Sequence, residues 1–431
     1  MTTHPALTRR RLLGLGLGAA AIGAVPALGA CTGTTTPPGA GSPGATGSAT
    51  FGSNASDPVP RAAYAAVVEA YSAGGNTVTT NTVPHNDFQN NISTYLQGSP
   101  DDVFTWFAGY RMQYYAEQGV LADVDDVWAE IGSNFSPALA AASTGLDGKK
   151  YLVPNYNYPW VVHYRKSLFA ERGYQVPTTW DEFVALCKQI QGDKIIPIEF
   201  TNKEGWPAFG MFDYLNMRTN GYQAHADLCA HRSSWDSPDV AAVFDGWREI
   251  LPFQNPGALG MTWQDGAANL GEKKSAMYLI GTFVTQEYAD NNEVLDDIDF
   301  FPFPAIGDEG QSAVEAPIDG LLLSRRGGEN PVARDFAKFV GTPQGQDAYS
   351  AKDTSNLPTA AEADRSYLTP MLTKAAELIA GASAVSQFFD RDALPAMASN
   401  VLAPALQEFT RDGKIDLANI EAQAAQLYAA Q

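Results

Sequence analysis

Between residues 49 and 107 the chain alternates β-like and helical runs, and this alternation constrains the fold most. Ala49 to Gly52 reads as a strand, and Tyr64, Val67, Val68 and Tyr71 then recur at helical spacing until Gly74 and Gly75 stop the helix. Thr77 to Val83 is rich in β-branched residues and reads as a second strand. Asp87 stands where an N-cap would precede Phe88, Ile92, Tyr95 and Leu96, and Val103 to Phe107 makes a third strand. Such a βαβαβ order predicts an α/β fold with an open parallel sheet, whose ligands bind beyond the carboxyl ends of the strands.

The α/β pattern resumes near Tyr164. Thr179 and Glu182 are spaced as a capping box ahead of a Phe183, Leu186, Cys187 and Ile190 stripe, and Ile195 to Ile198 reads as a short strand. Phe301-Pro302-Phe303-Pro304 must be extended. Asn330 should cap a helix with Pro331 in its first turn, and from about Tyr367 the chain is Ala-rich and helical. A body of about 380 residues exceeds one ordinary core and suits two domains.

The N-terminus reads as an address. Thr8-Arg9-Arg10-Arg11 precedes an apolar stretch and resembles a twin-arginine export signal. Leu28-Gly29-Ala30-Cys31 resembles the lipobox of bacterial lipoproteins, which implies cleavage after residue 30 and a lipid on Cys31. Residues 31–47 are rich in Thr, Pro, Gly and Ser, lack apolar periodicity, and should form a disordered tether spanning roughly 20 Å. The body is thus expected to be exported and held at the outer face of the cell membrane.

The formal charge of −20, or −23 without Arg9, Arg10 and Arg11, argues against nucleic acid as a partner. Beyond Cys31 only Cys187 and Cys229 remain, and a disulfide between them is left open against a core role for Cys187. His225, Cys229 and His231 lie close in sequence but lack an evident fourth ligand, so no metal or other cofactor is expected. Neither a Gly-x-Ser-x-Gly elbow nor a marked pair of carboxylates points to catalysis.

Gly148 to Pro154, then Tyr164-Arg165-Lys166-Ser167-Leu168-Phe169, then Pro177-Thr178-Thr179-Trp180-Asp181-Glu182-Phe183 form an ordered series. It resembles the family-1 extracellular solute-binding proteins of ABC transporters, the group of the maltose-binding proteins. The resemblance implies a type II periplasmic-binding-protein-like fold of two α/β lobes with a ligand cleft at the hinge. Lobe 1 would comprise 48–157 and 304–347, and lobe 2 would comprise 158–303 and 348–431. It also implies a monomer that captures a carbohydrate and hands it to transporter permease subunits, without being an enzyme.

A sugar needs flat aromatic platforms and a rim of polar groups. His85, Asp87 and Trp106 follow the second and third strands, where an open sheet presents its ligands. Asn157, Tyr158 and Trp160 fall at the implied crossing between lobes. Thr282 and Phe283 sit where the family often carries Gly-x-Trp, Asp319 resembles a position where relatives bring a polar group to the cleft, and Asn356 would reach the cleft where the chain re-enters the second lobe. Trp263 with Asp265, and Trp206 beside Gly205, are further aromatic candidates. Asp102 and Trp106, with Trp263 and Asp265, would instead suit a polyamine. A peptide ligand and a secreted glycosidase are the remaining alternatives.

Overall fold

The first three strands lie side by side, as the alternation requires. β1 (Ser48–Ser53) pairs in parallel with β2 (Thr77–Thr82) and with β3 (Val103–Phe107). The structure, a computed structural model, describes residues 47–308 and 311–430, so the signal, Cys31 and almost all of the tether lie outside the described residues. Helix Pro58–Ser72 covers the sheet with Tyr64, Val67 and Tyr71. The next helical run breaks into His85–Asn90 and Ile92–Gln97 at Asn91. The expected cap at Asp87 is corrected: Pro84 precedes the helix, and Asp87 lies inside its first turn.

Four later strands complete this sheet. β11 (Ile318–Ser324) inserts antiparallel between β3 and β5 (Val153–Asn157), and β12 (Leu357–Pro358) pairs with β5, giving the order β12-β5-β11-β3-β1-β2. Short β4 (Leu121–Ala122) adds to β11. At the bulge after Asp319, a Cβ on Gly320 would stand 2.2 Å from the Val153 carbonyl, so only glycine fits. Helix Pro331–Val340 packs Phe336 against Phe51, and Asn330 caps it by accepting from the Val332 amide at 3.0 Å.

A second sheet has the order β7-β8-β6-β9, from Ile196–Glu199, Ser275–Gly281, Trp160–Arg165 and Ile298–Phe301. Its helix Trp180–Gly192 opens on the expected capping box, with Thr179 and Glu182 satisfying each other's backbone amides. Cys187 lies in the core with Phe183, Leu186 and Ile190, and both Cys187 and Cys229 are buried free thiols. β10 (Ala313–Glu315) pairs with β13 (Ala384–Ser386) as a separate ribbon.

The result is two α/β lobes. Tyr158 and Pro159 alone separate β5 of the first sheet from β6 of the second. The chain returns between β9 and β11, and crosses again between β12 and helix Pro370–Ala380, whose Met371 and Leu372 join the second core. Residues from 348 were expected in lobe 2. Instead Tyr349, Ala360 and Ala363 pack in the first core, with the Tyr349 ring 5.0 Å from that of Tyr64. No helix among the described residues is long and apolar enough to cross a membrane.

Candidate ligand cavity between the lobes

A cavity of about 370 Å³ lies between the two lobes, lined from both sides. The first lobe contributes the segments that follow β1 and β2. Asn54 to Asp57 form one edge, and Pro84 to Asp87 with Gln89 form the next, as the open-sheet rule predicts. His85 meets Gln89 through its Nε2 at 2.9 Å. Burial, and then the nearby Arg391 charge, pulls the His85 pKa down to about 4, so its ring is neutral at ordinary pH. With Nε2 accepting from the Gln89 amide, Nδ1 carries the proton and is the nitrogen left to donate to a ligand hydroxyl.

The second lobe supplies an aromatic wall. Phe283, in the turn after β8, stands at its centre. Its ring centroid lies 5.2 Å from Trp263, 5.3 Å from Tyr158, 6.2 Å from Trp160 and 6.3 Å from Trp206. All four are edge-to-face contacts, which fix the rings against one another. Trp206 and Trp263 stand at helix starts, before Pro207–Asn220 and on Trp263–Gly271. Tyr158 and Trp160 come from the interlobe crossing and form the floor with Tyr156.

A polar corner closes the cavity. Arg391, on the short helix Phe389–Asp392, donates through Nη2 to the Tyr158 hydroxyl at 3.0 Å and pairs through Nη1 with Asp319 at 3.3 Å. Its guanidinium also sits 4.2 Å from the Phe107 ring centroid. Burial opposes the Arg391 charge, but Asp319, Tyr158 and Asp390 more than offset it and hold the pKa above the usual value. Asp390 lies 3.8 Å from Arg111, whose guanidinium packs over Trp106. Behind this corner Asp213 accepts from the Phe389 amide at 2.8 Å. Burial drives the carboxyls of Asp213 and Glu315 well up, and Asp392 to about 6.

Eight expected residues therefore meet at one cavity: His85, Asp87, Tyr158, Trp160, Trp206, Trp263, Phe283 and Asp319. Six do not line it. Trp106 is 1% exposed and stacks on Phe107 at 4.3 Å, within the helix-facing side of its sheet. Asp102 lies at the start of β3, the wrong end of the strand, where it binds the Thr50 amide at 2.9 Å and Arg326 at 3.2 Å. Asp265 completes a capping box with Thr262. Asn157 lines a separate groove, and Thr282 is fully buried, its amide donating to the Pro159 carbonyl at 3.3 Å. Asn356 is buried and donates to Asp353 at 2.9 Å. His225 meets Asn216 through Nδ1 at 3.1 Å and Cys229 through Nε2 at 3.6 Å, while His231 pairs with Glu421 at 3.2 Å, so the three do not converge on one point.

Phe388, Asp390 and Arg391 were missed, because the surrounding Ala-rich sequence reads as continuous helix. The signal was the run Phe388-Phe389-Asp390-Arg391-Asp392, whose aromatic and charged residues interrupt that composition. Phe388 has φ +108°, a strained value for a non-glycine residue, and its ring packs 4.9 Å from Trp160.

Residues 55–347 match the bacterial extracellular solute-binding protein family, and the chain belongs to it. Among solved structures it is similar to the bacterial solute receptor AcbH, described as having an exclusive substrate preference for β-D-galactopyranose. The two share 42% identity over 89% of this chain and 100% of that chain, with a TM-score of 0.85. A chitin oligosaccharide binding protein, 20% identical over 89% of this chain and 98% of that chain, shares the fold at a TM-score of 0.78. Two relatives from Pyrococcus horikoshii, described as uncharacterized ABC transporter extracellular-binding proteins, match at 23% and 26% identity. Those matches span 60% of this chain but only 58% and 59% of the relatives' own length. The α-glucosides-binding periplasmic protein AglE of Rhizobium meliloti is 25% identical over 69% of each chain.

Proposed function

We propose that this protein captures a monosaccharide of the galactopyranose type in the interlobe cavity and delivers it to an ABC importer. The observation that carries the reading is the five-ring wall around Phe283 facing the polar corner of His85, Asp319 and Arg391. Sugar C–H faces fit the rings, and sugar hydroxyls fit the donors and acceptors opposite. The cavity volume of about 370 Å³ is at the low end for small-ligand sites, which favours one sugar ring over a longer chain. The 42% identity to AcbH supports a β-D-galactopyranose preference here. The ligand leaves unchanged, the body acts as a monomer, and a lipid on Cys31 holds it beside its permease.

The test is calorimetry and thermal unfolding on the full chain carrying Cys31→Ser, with D-galactose, D-glucose and di- and trisaccharides. D-galactose at 100 times its dissociation constant should add about 2.7 kcal/mol and raise the melting temperature by a few degrees. An unchanged midpoint with every sugar sinks the reading.

A further inference from the structure

We infer that this cavity is selective by charge: it admits neutral and ammonium-bearing hexoses and rejects hexuronates and hexose phosphates. The inference rests on the capture reading above and concerns the ligand class of the same site.

Five carboxylates line the cavity, and among the described lining residues Arg391 is the one fixed cation. That cation is already engaged by Asp319 at 3.3 Å and by the Tyr158 hydroxyl at 3.0 Å. The second nearby guanidinium, Arg111, faces Asp390 at 3.8 Å. The two arginines thus offset two carboxylates, and three remain: Asp57, Asp87 and Glu204. They face the ligand space from both lobes, Asp57 and Asp87 after β1 and β2, and Glu204 beside Trp206.

The surroundings of these acids hold little to neutralise them. Asp57 accepts from the neutral Gln264 amide across the cleft at 3.4 Å, and Glu204 has a buried Oε2 without a partner. Arg61 and Lys203 act on Asp57 and Glu204 from outside the cavity, and both are solvent-exposed. Burial outweighs them and raises both carboxyl pKa values, as expected of acids without a close cation. His85 brings no charge, being neutral.

An anionic sugar entering here loses its water, finds no unengaged cation and meets like charge. An ammonium group meets the opposite case, with carboxylates at the rim and the faces of Trp206 and Trp263 beside them. A neutral hexose uses the same carboxylates as acceptors for its hydroxyls.

The experiment compares D-galactose, D-galacturonate and D-galactosamine by calorimetry on the full Cys31→Ser chain at neutral pH. Galacturonate should bind at least about tenfold more weakly than galactose, and galactosamine at least as tightly. Raising salt from about 0.02 to 0.3 M should narrow the galacturonate deficit. The double variant Asp57→Asn with Glu204→Gln should narrow it as well, read as the ratio of the two affinities within each variant. Galacturonate binding as tightly as galactose overturns the inference while the capture reading stands, and so does a ratio that the double variant leaves unmoved. Galactosamine binding about tenfold more weakly than galactose also overturns it. If no neutral sugar binds, the capture reading falls and the inference with it.

Discussion

Arg391 joins three parts of the chain in one side chain. It ties the C-terminal segment to Asp319 on β11 and to Tyr158 at the interlobe crossing, and it packs over Phe107 on β3. Removing its charge leaves Asp319 and Asp390 buried beside each other's field, which costs about 3–5 kcal/mol when one partner of a buried pair is lost. Arg391→Met should therefore lower the unfolding free energy from denaturant titration by that amount, and Asp319→Asn combined with it should recover part of the loss. Equal stability of Arg391→Met and the parent would show that the pair contributes nothing. Which residues line the cavity was legible where local sequence decides it. His85 follows a readable strand end, whereas Tyr158 and Trp160 sit at a crossing that only the family resemblance implied. Trp106 was not legible, because a one-residue difference along a strand moves a side chain to the other face of the sheet. Asp265 was misread for a related reason: Thr262 and Asp265 have capping-box spacing, and that local bond claims the carboxylate.

At the scale of elements, helix Pro207–Asn220 sets the position of the Trp160 ring. A Cβ added to Gly210 would lie 2.6 Å from two atoms of that ring, so the helix can approach only because residue 210 has no side chain. Gly210→Ala should displace Trp160 into the ligand space and weaken sugar binding by about tenfold or more. The better helix propensity of Ala, worth about 1 kcal/mol, opposes the overpacking cost, so stability should change by less than about 2 kcal/mol. Calorimetry alongside thermal unfolding separates the two effects; a large loss of stability with intact affinity would contradict this account. Elements with strong periodicity or caps were readable: β1, β2, β3, the Thr179 capping box and the Asn330 cap all stand where the pattern put them. The break at Asn91 and the kink at Phe388 were not, since no glycine or proline marks either one.

At the scale of the molecule, the two-sheet plan followed from family resemblance, and its details depend on packing that no local pattern records. The chain after 348 stays with the first core because Tyr349 stacks at 4.9 Å on Tyr156, a contact 193 positions away in sequence. The same long-range habit governs β11, which fills the centre of the first sheet between β3 and β5. A chain cut after residue 312 lacks that strand and β12, which leaves β3 open on one edge and β5 on both. Such edges recruit other strands. Size-exclusion chromatography should find this fragment in larger species than the full chain, and a fragment eluting no earlier than the full chain would refute the point. The order of synthesis makes this more than a matter of truncation. At 5–20 residues per second, a ribosome that has finished β3 at residue 107 needs roughly 10–40 s to reach β11 at residue 318. For that interval every nascent copy carries a sheet with open strand edges, and the cavity, which needs Asp319 and Arg391, does not yet exist.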